Sequence, residues 1–125
     1  MSAEENKQTV VDFYETAFKG DPEKAAADQV GDYYTQHNPQ VKDGTEGMIE
    51  FVHWLRDQYP QLRLEIKRVF ADGDMVITHS QVELSPGGPG WALADFFRLE
   101  NGKVVEHWDV IQDIPQTAAN SNTMF

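Results

Sequence analysis

The sequence predicts an α+β domain in which helices cover one face of a curved antiparallel sheet, and three observations predict it. Apolar residues recur at helical spacing up to Pro60, they alternate with polar residues beyond it, and the alternating runs are joined by short Gly-containing turns. With 125 residues, 40% hydrophobic and 11% aromatic, the chain has the length of one domain and the apolar content of a real core. A chain this long buries roughly two-thirds of its unfolded surface, so it needs no staple. We expect one domain over residues 1–125, with a core over about 8–115 and a polar tail over 116–125.

The helices come first. Val10, Phe13, Tyr14, Ala17 and Phe18 draw one apolar stripe between Thr9 and Phe18, and Gly20 ends it. Asp21-Pro22-Glu23 offers an N-cap, a proline for the first helical position and an acid for the first turn, so a short helix should run to about Val30. From Tyr33 to Pro39 we expect an irregular segment, because Pro39 disfavours helix at Asn38. Met48, Phe51, Val52, Leu55 and Tyr59 restore helical spacing, with Asp43 or Thr45 as caps and Pro60 as the stop.

Four strands should follow. Leu62, Leu64, Ile66 and Phe70 alternate with Arg63, Glu65, Lys67 and Val69, and Asp72-Gly73 makes a turn. Met75 to Leu84, Trp91 to Leu99 and Val104 to Ile114 read as further strands, separated by the Ser85–Gly90 corner and the Asn101-Gly102 turn. Strands joined so closely make an antiparallel meander. Met124 and Phe125, at the end of the polar tail, either fray or plug a gap.

Composition narrows the function. No cysteine is present, which removes disulfides, thiolate metal sites and cysteine nucleophiles. Ten Lys and Arg against 21 Asp and Glu give a net charge of -11, the wrong sign for neutralising phosphates, so neither nucleic acid nor an anionic membrane is an expected partner. No apolar run approaches a membrane span and the first residues lack the pattern of a signal peptide, so a cytoplasmic location is expected.

None of the P-loop, GxGxxG, HExxH or GxSxG patterns occurs. What stands out is polar residues within apolar strand faces: His79 and Gln81 with Met75 and Ile77, Asp95 with Trp91, Leu93 and Phe97, and His107 and Asp109 with Val105 and Ile111. Whether these gather depends on one turn. A two-residue turn at Asn101-Gly102 would set Asp95 opposite Trp108 and send His107 to the other face. A three-residue loop with a bulge would set Asp95 opposite His107 and Leu93 opposite Asp109. We prefer the second, because it leaves Arg98, Glu106 and Gln112 together on the other side.

The segments Tyr34-Thr-Gln-His37-Asn-Pro39, Ala71-Asp-Gly-Asp-Met-Val76 and Asp95 to Val110, the last containing a Gly-Lys turn and His107-Trp-Asp109, resemble the SnoaL-like polyketide cyclases of the nuclear-transport-factor-2-like superfamily. The resemblance covers nearly the whole chain. It implies a cone-shaped curved antiparallel β-sheet closed by N-terminal α-helices, and a homodimer formed through the outer face. It also implies an acid/base role for Asp95, with Asp109 matching a catalytic aspartate of the epoxide hydrolase branch. That branch adds an arginine inside the pocket. Here Arg98 has the wrong parity and Arg68 lies on another strand.

The chemistry expected is proton abstraction beside a carbonyl followed by aldol closure or isomerisation, with Asp95 as base and His79, His107 or His37 holding the enolate oxygen. Asn38 and Gln81 would orient the ligand, while Tyr14, Trp54, Trp91 and Phe97 would wall an apolar pocket for a small carbonyl compound. No cofactor is expected. No metal is expected either, since His37, His79, His107 and Asp109 show no close ligand spacing. Each polar residue has a structural alternative: an Asp95–His107 ion pair, a turn fixed by His37, a satisfied core His79, a solvent-facing His53. The competing readings are therefore a non-catalytic binding domain of the same fold and a dimerisation or docking domain.

Overall fold

The computed structural model describes residues 1–125. Helix α1 spans Ala3–Phe18, α2 Pro22–Gln29 and α3 Gly44–Gln58, and strands β1 to β5 span Val30–Gln36, Arg63–Asp72, Met75–Glu83, Gly90–Glu100 and Lys103–Asp113. The sheet order is β1-β5-β4-β3-β2. Strands β2 to β5 form the expected antiparallel meander, and β1 adds a fifth strand parallel to β5. The segment read as irregular thus begins with a strand.

Local chemistry explains the helix starts. Ser2 and Glu5 form a reciprocal capping box that extends α1 a turn and a half ahead of the expected start. Asp21 accepts the Lys24 N–H, and Pro22 occupies the first position of α2. Asp43 precedes α3 without capping it, because its carboxylate accepts the Gln36 N–H at 2.8 Å and ties the loop back to β1. Gly47 lets that loop close: a Cβ there would stand 1.9 Å from the Lys42 carbonyl oxygen.

The helices lie on one face of the sheet, where Val10, Phe13, Tyr14 and Ala17 of α1 meet Val76, Phe97, Leu99 and Val104. Leu55 and Leu62 form a second cluster with Val82, Leu84 and Leu93. Two bulges decide which side chains face inward. In β2, Ile66 pairs with Ser80 and Arg68 with His79, so Lys67 is the extra residue; Val69 and Ala71 turn in and Phe70 turns out, 58% exposed.

The second bulge settles the β4–β5 register in a way neither sequence alternative anticipated. Asn101 and Gly102, both with positive φ, form a two-residue turn that pairs Glu100 with Lys103 and Leu99 with Val104. Val105 is then skipped, and pairing resumes at Arg98–Glu106, Phe97–His107 and Asp95–Asp109. The bulge lies inside the strand rather than in the loop. It restores the parity of the preferred register, but Asp95 faces Asp109, with His107 on the diagonal.

The tail returns to the outer face. The Phe125 ring lies 5.5 Å from that of His79, Arg68 donates to the Phe125 carbonyl at 3.2 Å, and the Lys67 ammonium sits 5.4 Å from the Phe125 ring. No helix is long and apolar enough to cross a membrane.

Candidate functional site

An apolar cavity opens between α1, α3, β1 and the inner face of β4 and β5. Its walls include Phe13, Tyr14, Tyr34, Phe51, Trp91 and Phe97, and its polar groups are Gln36, Asn38, His107 and Asp109. About 50 Å³ of it is open to water, room for a few water molecules, so a larger ligand requires the walls to move.

Asp95 lies behind this polar end and is fully buried. One carboxylate oxygen accepts the Tyr14 hydroxyl at 2.9 Å, and the other lies 2.8 Å from His107 Nε2. Burial raises the Asp95 pKa above the ordinary range; the hydrogen bonds from His107 and Tyr14 and the charge on His107 oppose the rise, and the nearby Asp109 adds to it. Burial also raises Tyr14 well above the normal phenol value, with Asp95 adding to the effect, so Tyr14 remains a donor. Burial keeps Tyr34 a phenol in the same way.

His107 Nδ1 faces the Gln36 side-chain oxygen at 2.8 Å. Its ring stacks on Tyr34 at 6.3 Å and 15°. Asp109 lies on the cavity wall with 10% of its side chain exposed; the Asn38 amide donates to both its oxygens at 2.9 and 3.1 Å, and His107 Nε2 is 3.8 Å away. One wall therefore presents an imidazole backed by a buried carboxyl and, beside it, a second carboxylate within reach of a ligand. Such a set can take a proton from one atom and give a proton to another.

Of the residues singled out by sequence, Asp95, Asp109, His107, Asn38, Tyr14, Trp91 and Phe97 come together here. Asp95 itself has no exposed surface, so a ligand meets Asp109 and His107 first.

Four expectations fail on geometry. His79 and Gln81 point outward, because Val76, Thr78, Ser80 and Val82 occupy the buried positions of β3; His79 contacts Arg68 instead. His37 also lies outside, 2.6 Å from Glu106 and stacked on Trp108 at 4.7 Å. Trp54 is 55% exposed, since it precedes the inward Leu55 by one residue, about 100° round the helix, and Phe51 supplies the wall from α3. The solvent-facing assignment of His53 agrees with its place beside Glu23 at 2.8 Å.

The ligand set His37, His79, His107 and Asp109 is accordingly dispersed. The donor atoms that do gather, from Asp95, His107 and Asp109, lie within 4.8 Å of one another, with Nε2 at hydrogen-bond distance from the Asp95 oxygen. Arg98 stays outside with Glu100, Glu106 and Tyr33, as its parity predicts. Gln36 was missed. Its signal was the spacing Tyr34, Gln36, Asn38, which becomes an inward face only once Val30–Gln36 is read as a strand.

Helices packed on one face of a bent sheet, with an acid/base cluster at the end of an apolar cavity, define a small α+β domain of the nuclear-transport-factor-2-like class. A family model for the SnoaL-like domain matches residues 10–107, and the chain belongs to that family. Among solved structures it is similar to TsrD from Streptomyces laurentii, at 21% identity over 85% of this chain and 87% of that one, with a TM-score of 0.71. AclR from Streptomyces galilaeus, described as a candidate hydroxylase, matches at 21% identity over 89% and 91%, with a TM-score of 0.73. A candidate ketosteroid isomerase from Kribbella flavida matches at 18% over 94% and 85%, with a TM-score of 0.74. These likenesses support the fold. No curated protein matches the chain.

Proposed function

We propose that this protein is a cofactor-independent acid/base enzyme of the cyclase or isomerase type, acting on a small apolar carbonyl compound. The observation that carries this reading is the pair of opposed aspartates with His107 between them, at the end of a cavity whose other walls are almost wholly apolar. A structural ion pair needs only Asp95 and His107. Asp109, held by Asn38 and left partly exposed on the wall, is what such a pair does not require.

Asp109 accepts the proton from carbon beside the carbonyl. His107 and Asp95 share a proton along the Nε2–carboxyl hydrogen bond, and the positive charge that this lends the imidazole stabilises the developing enolate oxygen, whose charge is costly in a dry site, while Asp109 returns the proton it took to the product. The Asp95 role expected from sequence thus becomes that of the group behind the imidazole. The same wall serves aldol closure or a shift of a double bond, since both begin with the enolate. A homodimer through the outer face remains part of the proposal.

Exchange of α-protons into D2O, followed by NMR over a panel of cyclic ketones and β-dicarbonyl compounds, tests the reading without knowledge of the natural substrate. Wild type should exchange at least one compound faster than buffer, and Asp109→Asn should abolish the excess while keeping the fold. Saturable binding of panel members with no excess exchange would favour the binding-domain reading.

A further inference from the structure

Two side-chain amides on the strand-to-loop junction after β1 are oriented by backbone groups, and their orientation fixes protons in the cavity. The Asn38 backbone N–H donates to the Gln36 side chain at 3.1 Å, so the receiving atom is the amide oxygen. The same oxygen lies 2.8 Å from His107 Nδ1, which must then carry a hydrogen. The Asn38 side chain is settled likewise: its oxygen accepts the Gln40 N–H at 2.9 Å, leaving its NH2 for Asp109.

Gln36 is itself held from two sides. Its backbone N–H donates to Asp43, and it pairs with His107 in the β1–β5 ladder, where the next residue's N–H donates to the His107 carbonyl at 3.0 Å. The main chain at Gln36 is thus fixed, and its side-chain oxygen is held by the Asn38 N–H and His107.

We infer that Gln36 is a positioning residue that holds His107 in its Nδ1–H form, so that Nε2 and the Asp95 carboxyl share a single proton. This deepens the acid/base reading above and rests on it for its catalytic meaning, but the protonation pattern exists in the ligand-free protein. Without an acceptor at Nδ1, the imidazole would place its hydrogen on Nε2 and donate it to Asp95. That leaves an ionised Asp95 accepting from both Tyr14 and His107, with the pair one proton short and the imidazole uncharged.

Nitrogen-15 NMR of the His107 ring distinguishes the two states. In ligand-free wild type, Nδ1 should show an attached proton throughout pH 6 to 8, as a chosen range. Gln36→Met should reverse the major neutral tautomer to Nε2–H, and Gln36→Glu, which restores an acceptor, should return the proton to Nδ1. An Nδ1 without a proton in wild type, or a tautomer unchanged in Gln36→Met, would overturn the inference. If Gln36→Met does not fold, the wild-type and Gln36→Glu spectra decide, since an unprotonated Nδ1 in either contradicts it. Failure of the exchange assay with this pattern intact would count against the enzymatic reading alone.

Discussion

Tyr14→Phe isolates one hydrogen bond at the buried carboxyl. The substitution removes only the hydroxyl that donates to Asp95 at 2.9 Å and leaves the ring against Phe18 and Phe97. A hydrogen bond to a charged group contributes about 1.5–3 kcal/mol, and one to a neutral group about 1. The loss should therefore be about 2–3 kcal/mol where Asp95 is ionised and about 1 where it is protonated. Burial already raises the Asp95 pKa, so the folded state binds a proton more tightly than the unfolded chain, whose value is about 3.9.

Stability from this group is accordingly greatest at low pH and falls as pH rises through the window from the unfolded value to the raised folded one. The Tyr14 bond lowers the folded value, so its removal raises that value further and widens the window. The difference between wild type and Tyr14→Phe must then grow with pH. Urea unfolding of both proteins from pH 5 to 8 measures it, with Asp95→Asn and the double variant completing a cycle. In a 125-residue domain, loss of the full bond to an ionised Asp95 corresponds to a fall in Tm of about 8–12 °C. A loss below about 0.5 kcal/mol, or one that shrinks as pH rises, would refute the reasoning.

Gly31→Ala should destabilise by about 1–3 kcal/mol and shift the His107 resonances, because its Cβ would stand 2.8 Å from a methyl of the bulge residue Val105; thermal melts and a heteronuclear NMR spectrum check both. Gly47→Ala should cost about 3 kcal/mol in urea unfolding, since the Lys42 carbonyl cannot yield without opening the loop. Leu55→Ala, at a site with no exposed surface, should cost about 2–5 kcal/mol by the same measure. His37→Ala breaks a contact with Glu106 in which the His37 side chain is 40% exposed, so it should change stability by less than about 1 kcal/mol and leave α-proton exchange unaltered.

The helices and the four-strand meander were legible because each carries its period in its own residues. Val10, Phe13, Tyr14 and Ala17 mark one helix face whatever they pack against, and Asp21-Pro22 marks a start. Strand β1 was not legible. Val30-Gly-Asp-Tyr-Tyr-Thr-Gln36 has little alternation, and it becomes a strand by pairing with β5, a partner far along the chain.

The site was legible in part for a related reason. Asp95, His107 and Asp109 announce themselves as polar residues in apolar strands, and that contrast is local. The errors at His79 and Gln81 arose where inner and outer faces are both partly apolar: Met75 and Ile77 lie on the outer side, where only the pairing Thr78–Asp95 reveals which alternate set turns in. Phe70 failed at a bulge, which no count of alternating residues registers.

The skipped Val105 amounts to a rule of odd and even numbers. Across a hairpin closed by a two-residue turn, partners sum to an odd number, as Glu100 and Lys103 do, so residues on one face lie an odd number of positions apart. Asp95 and His107 are an even number apart. A chain that keeps both the tight turn and their meeting must absorb one residue somewhere between, and it does so after Val104. Inserting or removing one residue on either side of that point would exchange the inside of the cavity for its outside without altering any residue that bears chemistry.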